Sequence, residues 1–135
     1  MMSEMLRCEQ SIPGYIQYIN ENWSKDLQEV QSYIPVIVGE WSIFNSYATG
    51  MDTKGGQSSL NGMDYNDNKE IFSAEEKRTL YQTISHAQLY AWQKGSGYFY
   101  WSYKLLLDTV NEPNWIGWDA WDLGRAYDLG WFPKV

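Results

Sequence analysis

Apolar residues stand at Ile12, Ile16, Ile19, Trp23, Leu27 and Val30, in steps of four, three, four, four and three. That spacing predicts one apolar stripe on a helix over 12–31, about five turns long. Ser11 is placed to cap it, and Pro13 fits its first turn, where the missing donor does no harm. The pattern then changes. Ile34-Pro-Val-Ile-Val-Gly-Glu40 is a short apolar run rich in β-branched residues, which predicts a strand over 35–40 buried on both faces. From Trp41 to Phe72 no periodicity survives. Gly50, Gly55, Gly56 and Gly62, with Asn61, Asp64, Asn66, Asp67 and Asn68, supply turns. Trp41, Phe44, Tyr47 and Tyr65 make this long loop a packed one, and loops of such length are usually functional or disordered.

Ser73-Ala-Glu-Glu76 spells a capping box, which predicts a helix over 74–93. Leu80, Ile84, Ala87 and Ala91 form its stripe, flanked by Tyr81, Leu89 and Trp92. Lys94 and Gly95 close it, Gly95 being suited to the left-handed position past a helix end. The aromatic run Gly97-Tyr-Phe-Tyr-Trp-Ser-Tyr103 predicts a second buried strand over 97–103. A tryptophan-rich loop, 104–118, leads to a short helix over 119–129, capped by Asp119 and ended by Gly130. Trp131-Phe132-Pro133 tucks the tail back.

Strands alternating with helices of this length predict an α/β fold of parallel βα units. The links from helix to strand are short, 32–34 and 94–96, whereas the strand-to-helix loops, 41–72 and 104–118, are long. A (β/α)8 barrel has this asymmetry, because its strand-to-helix loops build the active-site face. A doubly wound sheet follows a similar rule, but neither strand is followed by a glycine-rich phosphate fingerprint. A barrel needs about 250 residues, so two strands predict a piece of one. Both edges of a two-stranded sheet are open for pairing, so the chain alone is expected to self-associate, dissolve poorly or stay partly disordered.

Composition narrows the chemistry. The 17 acidic and 10 basic residues give a net charge of −7, which argues against a nucleic-acid partner and against an anionic membrane surface. No stretch approaches the roughly 18 apolar residues of a membrane helix. The single cysteine, Cys8, reads as an ordinary apolar residue; one cysteine and one histidine, His86, exclude an internal disulfide and a multi-histidine metal cluster. His86 lies within the second helix and reads as structural or surface. Met1 to Gln10 lacks a basic start followed by an apolar run, so no signal peptide is expected in it, and localisation stays open. Eight tryptophans and eleven tyrosines in 135 residues mean either heavy core use or a binding face of flat rings, which can stack on apolar sugar faces.

Glu40 is the one carboxylate at the end of the first strand. Strand C-terminal ends carry catalysis in barrel enzymes, although a surface glutamate after a core strand is equally ordinary.

Val36-Ile-Val-Gly-Glu-Trp-Ser42, followed by a helix with Gln88 and then Gly97-Tyr-Phe-Tyr-Trp-Ser-Tyr-Lys104, resembles the C-terminal quarter to third of glycoside hydrolase family 5. The branch it is most similar to is the exo-β-1,3-glucanase group, with its Gly-Glu-Trp-Ser strand end and later strand of the type Gly-Trp-x-Phe-Trp-x-Trp-Lys. Asp128-Leu-Gly-Trp-Phe-Pro133 resembles that group's ending, so the likeness runs from Tyr15 onward. It implies the last two to three βα units of a (β/α)8 barrel, a retaining hydrolase of β-glucan or a related β-linked polysaccharide, and no cofactor. It also implies that Glu40 is the catalytic nucleophile at the end of the seventh strand. Trp101 would lie beneath the sugar at the end of the eighth.

Retaining glycosidases use two carboxyl groups about 5–5.5 Å apart. The family takes its acid/base from an Asn-Glu-Pro motif on the fourth strand, which the likeness places upstream of this chain, so the chain alone is expected to be inactive. Asn111-Glu-Pro113 spells the same motif after the nucleophile, in the last loop, where the family has an asparagine- and proline-containing stretch followed by tryptophan. Glu112 is therefore not assigned the acid/base role. Trp115 and Trp118 either border the sugar or pack under the loop, and Lys104 and Gln88 are given no catalytic role. Two alternatives stay open: a non-catalytic carbohydrate-binding module, which two long helices disfavour, and a small α/β domain unrelated to sugars.

Overall fold

A computed structural model describes residues 12–44, 73–106 and 118–133. The first helical stretch is one rod with a change of pitch. Helix α1 (Ile12–Tyr18) runs into a π-helical turn (Ile19–Trp23) and then into helix α2 (Ser24–Gln31), with Tyr18, Trp23 and Ser24 all in right-handed helical backbone. The Ser24 N–H donates to the Ile19 carbonyl, a five-residue step that widens the turn. The extra residue shifts the phase of the buried stripe. Tyr15, Ile19, Ser24 and Leu27 are the buried positions, while Val30, at the end of the expected stripe, is 44% exposed. The Ser11 cap lies outside the described residues, as do Cys8, Tyr47 and Tyr65.

Strand β1 (Ile37–Trp41) and strand β2 (Gly97–Tyr100) form a parallel two-stranded sheet. Helix α3 (Ala74–Trp92) lies between them in sequence and opens on the expected capping box: the Glu76 N–H donates to Ser73 Oγ, and the Ser73 N–H to Glu76 Oε2. Its buried face is Tyr81, Ile84, Ser85, Gln88, Ala91 and Trp92, rotated from the expected stripe because two polar residues sit at its centre. Both have structural duties. Ser85 Oγ donates to the Trp131 carbonyl, and Gln88 Nε2 to the Tyr15 hydroxyl. His86 is exposed.

At the start of the sheet the two helix-to-strand links are knotted together. Gln31 Oε1 accepts the Val36 N–H at 2.7 Å, its Nε2 donates to Ser96 Oγ at 2.8 Å, and the Ser96 N–H donates to the Val36 carbonyl. Gly95 is required there for space rather than for a left-handed backbone, contrary to the sequence expectation. A Cβ would sit 2.9 Å from the Val36 carbonyl oxygen and 3.3 Å from a Leu27 methyl. Among the described residues only Gly130 has positive φ, at +72°, just past helix α4 (Leu123–Asp128). Asp122, not Asp119, caps that helix; Asp119 belongs to a 3-10 turn, Trp118–Trp121. The tail folds back as expected. Trp131 stacks on Tyr81 with ring centroids 4.0 Å apart, and Gln82 Nε2 holds the Gly130 carbonyl.

The core lies on one side of the sheet. Val38, Trp41 and Tyr100 pack toward the helices, where Trp41 meets Trp92 edge-on and Trp92 stacks on Trp23 with centroids 5.4 Å apart. On the other side Ile37 and Phe99 are 58% and 64% exposed. The expectation that both strands are buried on two faces is thus corrected. Among the described residues, nothing covers the second face.

Candidate active site

The two principal sequence candidates stand at the C-terminal end of the sheet. Ile37 pairs with Gly97 and Val38 with Tyr98, but the next pair is Trp41 with Tyr100. Strand β1 therefore carries one residue more than strand β2 over this interval, a bulge in which Gly39 and Glu40 both stand opposite Phe99. Side chains alternate along a regular strand, so Glu40 would otherwise share the helix-facing side with Val38. The bulge gives that side to Trp41, which is 7% exposed, and leaves Glu40 exposed. Among the described residues no hydrogen bond or ion pair engages the Glu40 carboxylate. A Cβ at Gly39 would meet nothing within 4 Å, so the approach to the bulge is open.

Trp101 is the residue immediately past strand β2, and its N–H donates to the Trp41 carbonyl at 2.9 Å. That bond extends the sheet by one step and fixes Trp101 beside the residue that follows Glu40. Its side chain is 56% exposed. The expected strand to Tyr103 stops at Tyr100, because the backbone past Trp101 finds different partners. Ser102 N–H donates to the Trp121 carbonyl, Leu123 N–H to the Ser102 carbonyl and Gly124 N–H to the Tyr103 carbonyl. The peptide bond between Trp101 and Ser102 is cis. The remaining exposed rim is aromatic and aliphatic, with Tyr103 and Leu106 at 75% and 95% exposure. Lys104 is also exposed.

Two residues that the sequence did not single out hold this end together. The Tyr100 hydroxyl accepts the Ile43 N–H at 3.2 Å and donates to the Ala120 carbonyl, joining the segment after strand β1 to the 3-10 turn. Burial pushes its pKa well above the ordinary tyrosine range; the Ile43 N–H opposes the shift and the negative charge of Asp122 adds to it. Asp122 is 2% exposed. Its Oδ1 accepts the Arg125 N–H and its Oδ2 the Leu105 N–H, both at 2.9 Å. The Arg125 guanidinium lies beside it, 3.6 Å from Oδ2, and pairs with Asp119 at 3.1 Å. Aspartate is a preferred N-cap residue, so the residue type at 122 is itself a sequence signal for the cap. Nothing local marks the Leu105 contact or the Tyr100 hydroxyl.

Glu40 and Trp101, the two principal sequence candidates, are brought to one end of the sheet. Trp115 and Asn111-Glu-Pro113 lie outside the described residues, and Trp118 is placed only as the first backbone position of the 3-10 turn. Gln88 is a core residue of helix α3, remote in role from this rim.

No family model matches the chain. It is similar to the probable glucan 1,3-beta-glucosidase D of Aspergillus clavatus, with 27% identity over 145 residues that cover 88% of this chain and 17% of that protein. The chain thus spans about a sixth of the length of the curated relative it matches. The relationship is distant and partial, and its direction is toward a glycosidase.

Proposed function

We propose that the chain supplies the nucleophile end of a retaining glycoside hydrolase of the family 5 type, acting on β-glucan or a related β-linked polysaccharide. In this reading the two strands are the last of a (β/α)8 barrel, and the open face carrying Ile37 and Phe99 is the barrel interior that the other strands cover. The observation that carries the reading is the pairing of an exposed carboxylate, unengaged among the described residues, with an exposed indole at one strand end. Glu40 is released by the bulge and Trp101 is held beside Trp41.

Glu40 attacks the anomeric carbon as the glycosidic bond breaks, giving a glycosyl-enzyme. A second carboxyl group, supplied by another strand, protonates the departing oxygen and then takes a proton from the water that hydrolyses the ester. The exposed face of Trp101 stacks on the apolar face of the sugar and aligns it for attack. In this reading Glu112 is not the second carboxyl group, and the chain by itself is inactive.

The test uses the full-length polypeptide that contains these residues, assayed on β-1,3-glucan. Glu40→Gln abolishes turnover, and Glu40→Ala regains glycosyl transfer with azide, giving a glycosyl azide of inverted anomeric configuration. Turnover retained in Glu40→Gln contradicts the reading.

A further inference from the structure

We propose that Asp122 is a positioning residue for Trp101, a role that rests on the glycosidase reading of that indole. The sheet holds Trp101 by a single bond, from its N–H to the Trp41 carbonyl, because strand β2 ends at Tyr100. From Ser102 to Leu105 the chain is instead laced to residues 121–124. Three rungs are backbone bonds: Ser102 to Trp121 at 2.7 Å, Leu123 to Ser102 at 2.9 Å and Gly124 to Tyr103 at 3.0 Å. Among the described residues, the rung farthest from Trp101 is the Leu105 N–H on Asp122 Oδ2. A ladder of this kind frays inward when an outer rung is cut, and Asp122 holds that rung.

Beside its charge contact with the Arg125 guanidinium, the carboxylate has two separable hydrogen-bonding duties. Oδ1 caps helix α4 through the Arg125 N–H, and Oδ2 tethers Leu105. Capping needs one acceptor and a short side chain; tethering needs the second oxygen. Serine caps as well as aspartate does, but its single oxygen on a shorter side chain cannot stand at both the Oδ1 and the Oδ2 position. Asp122→Ser therefore cuts the tether and leaves the cap.

The consequence falls on Trp101. With that rung gone, the strap opens back toward Ser102, and the indole loses its fixed angle while Glu40, held by strand β1, keeps its place. Sugar binding suffers more than the chemical step.

Two measurements on the full-length polypeptide test this, and the first does not depend on activity. Amide hydrogen exchange in Asp122→Ser accelerates about tenfold or more at Leu105, Ser102 and Trp101, with Arg125 and the helix α3 amides unchanged. Protection unchanged at Ser102 and Trp101 overturns the proposal, as does a general loss across helix α3 in both Asp122→Ser and Asp122→Asn. The second is a double-mutant cycle with Trp101→Ala on β-1,3-glucan oligosaccharides. Asp122→Ser lowers kcat/KM by about tenfold, mostly through KM, and adds nothing in the Trp101→Ala background. Additive losses overturn the proposal while leaving the assignment of Glu40 intact. Turnover unaffected by Glu40→Gln sinks the glycosidase reading and leaves the exchange result to stand or fall alone.

Discussion

The two faces of the sheet are made by the same two strands and have opposite characters. On the helix-facing side Trp41 is the hub: its ring meets Trp92, Tyr98, Tyr100 and Phe132 edge-on, at centroid distances between 4.9 and 6.2 Å. On the other side Ile37, Phe99 and Trp101 are each more than half exposed. Parallel sheets are ordinarily covered on both sides. The contrast therefore separates two jobs. One face is finished within this chain and gives it a core. The other presents apolar side chains and, at its end, Glu40. The bulge at Gly39 and Glu40 is the switch between them, sending Trp41 inward and the carboxylate outward. The proposed barrel gives the open face a cover that the described residues do not supply.

The largest test of the contrast removes the hub. Trp41→Ala costs about 3–5 kcal/mol, read from urea denaturation, because the cavity opens in the middle of an aromatic cluster. Tyr100→Phe keeps the ring and strips the hydroxyl, leaving the Ile43 N–H and the Ala120 carbonyl without it. It costs about 1–3 kcal/mol by the same measurement. Tyr100 also carries a pH signature. Its folded pKa lies above the ordinary 10.0, so its contribution is complete below pH 10 and is lost as pH rises from there toward the folded value. Tyr100→Phe removes that share of the alkaline loss.

A smaller effect belongs to neither face and calibrates the rest. The Ser73 hydroxyl, and then its N–H, hold the Glu76 carboxyl below its ordinary 4.5. The capping contribution is therefore present above pH 4.5 and disappears as pH falls through the folded value. Ser73→Ala flattens the acid limb of the stability profile over that window. The smallest effect is on the open side. Phe99→Ala changes the stability of the isolated chain by less than about 0.5 kcal/mol. In the full-length polypeptide the same substitution costs about 3–5 kcal/mol if the barrel reading holds, since Phe99 is then core. A null result in both contexts breaks that reading of the open face.

What the sequence revealed was mostly local. The capping box at Ser73 and Glu76 is written in four residues, and the alternation of helix and strand follows from periodicity. Parallel pairing of the two strands follows from the helix between them. The bulge could not be read, because Val-Gly-Glu-Trp is compatible with a regular strand and only pairing to Tyr98 and Tyr100 reveals the extra residue. The π-helical turn was hidden for a similar reason: the apolar spacing from Ile12 to Val30 suits an ordinary helix, and the phase shift emerges from packing against helix α3. Trp101 to Tyr103 has strand composition, yet its partners past Trp101 lie some twenty residues away at 121–124. Of the candidate site, the placement of Glu40 and Trp101 at one end of the sheet was legible through the strand motifs. Tyr100 and Asp122 were not, since a hydroxyl and a second carboxylate oxygen acquire their roles only from distant backbone groups.

In the proposed hydrolase, Glu40 forms the covalent bond to sugar. The most direct measurement is to incubate the full-length polypeptide with a 2-deoxy-2-fluoro-β-glucosyl fluoride, which slows hydrolysis of the glycosyl-enzyme, and to locate the label by peptide mass spectrometry. One fluoroglucosyl group per chain is expected, on Glu40, with loss of turnover in step with labelling. A label on another carboxylate, with turnover intact in Glu40→Gln, would contradict it.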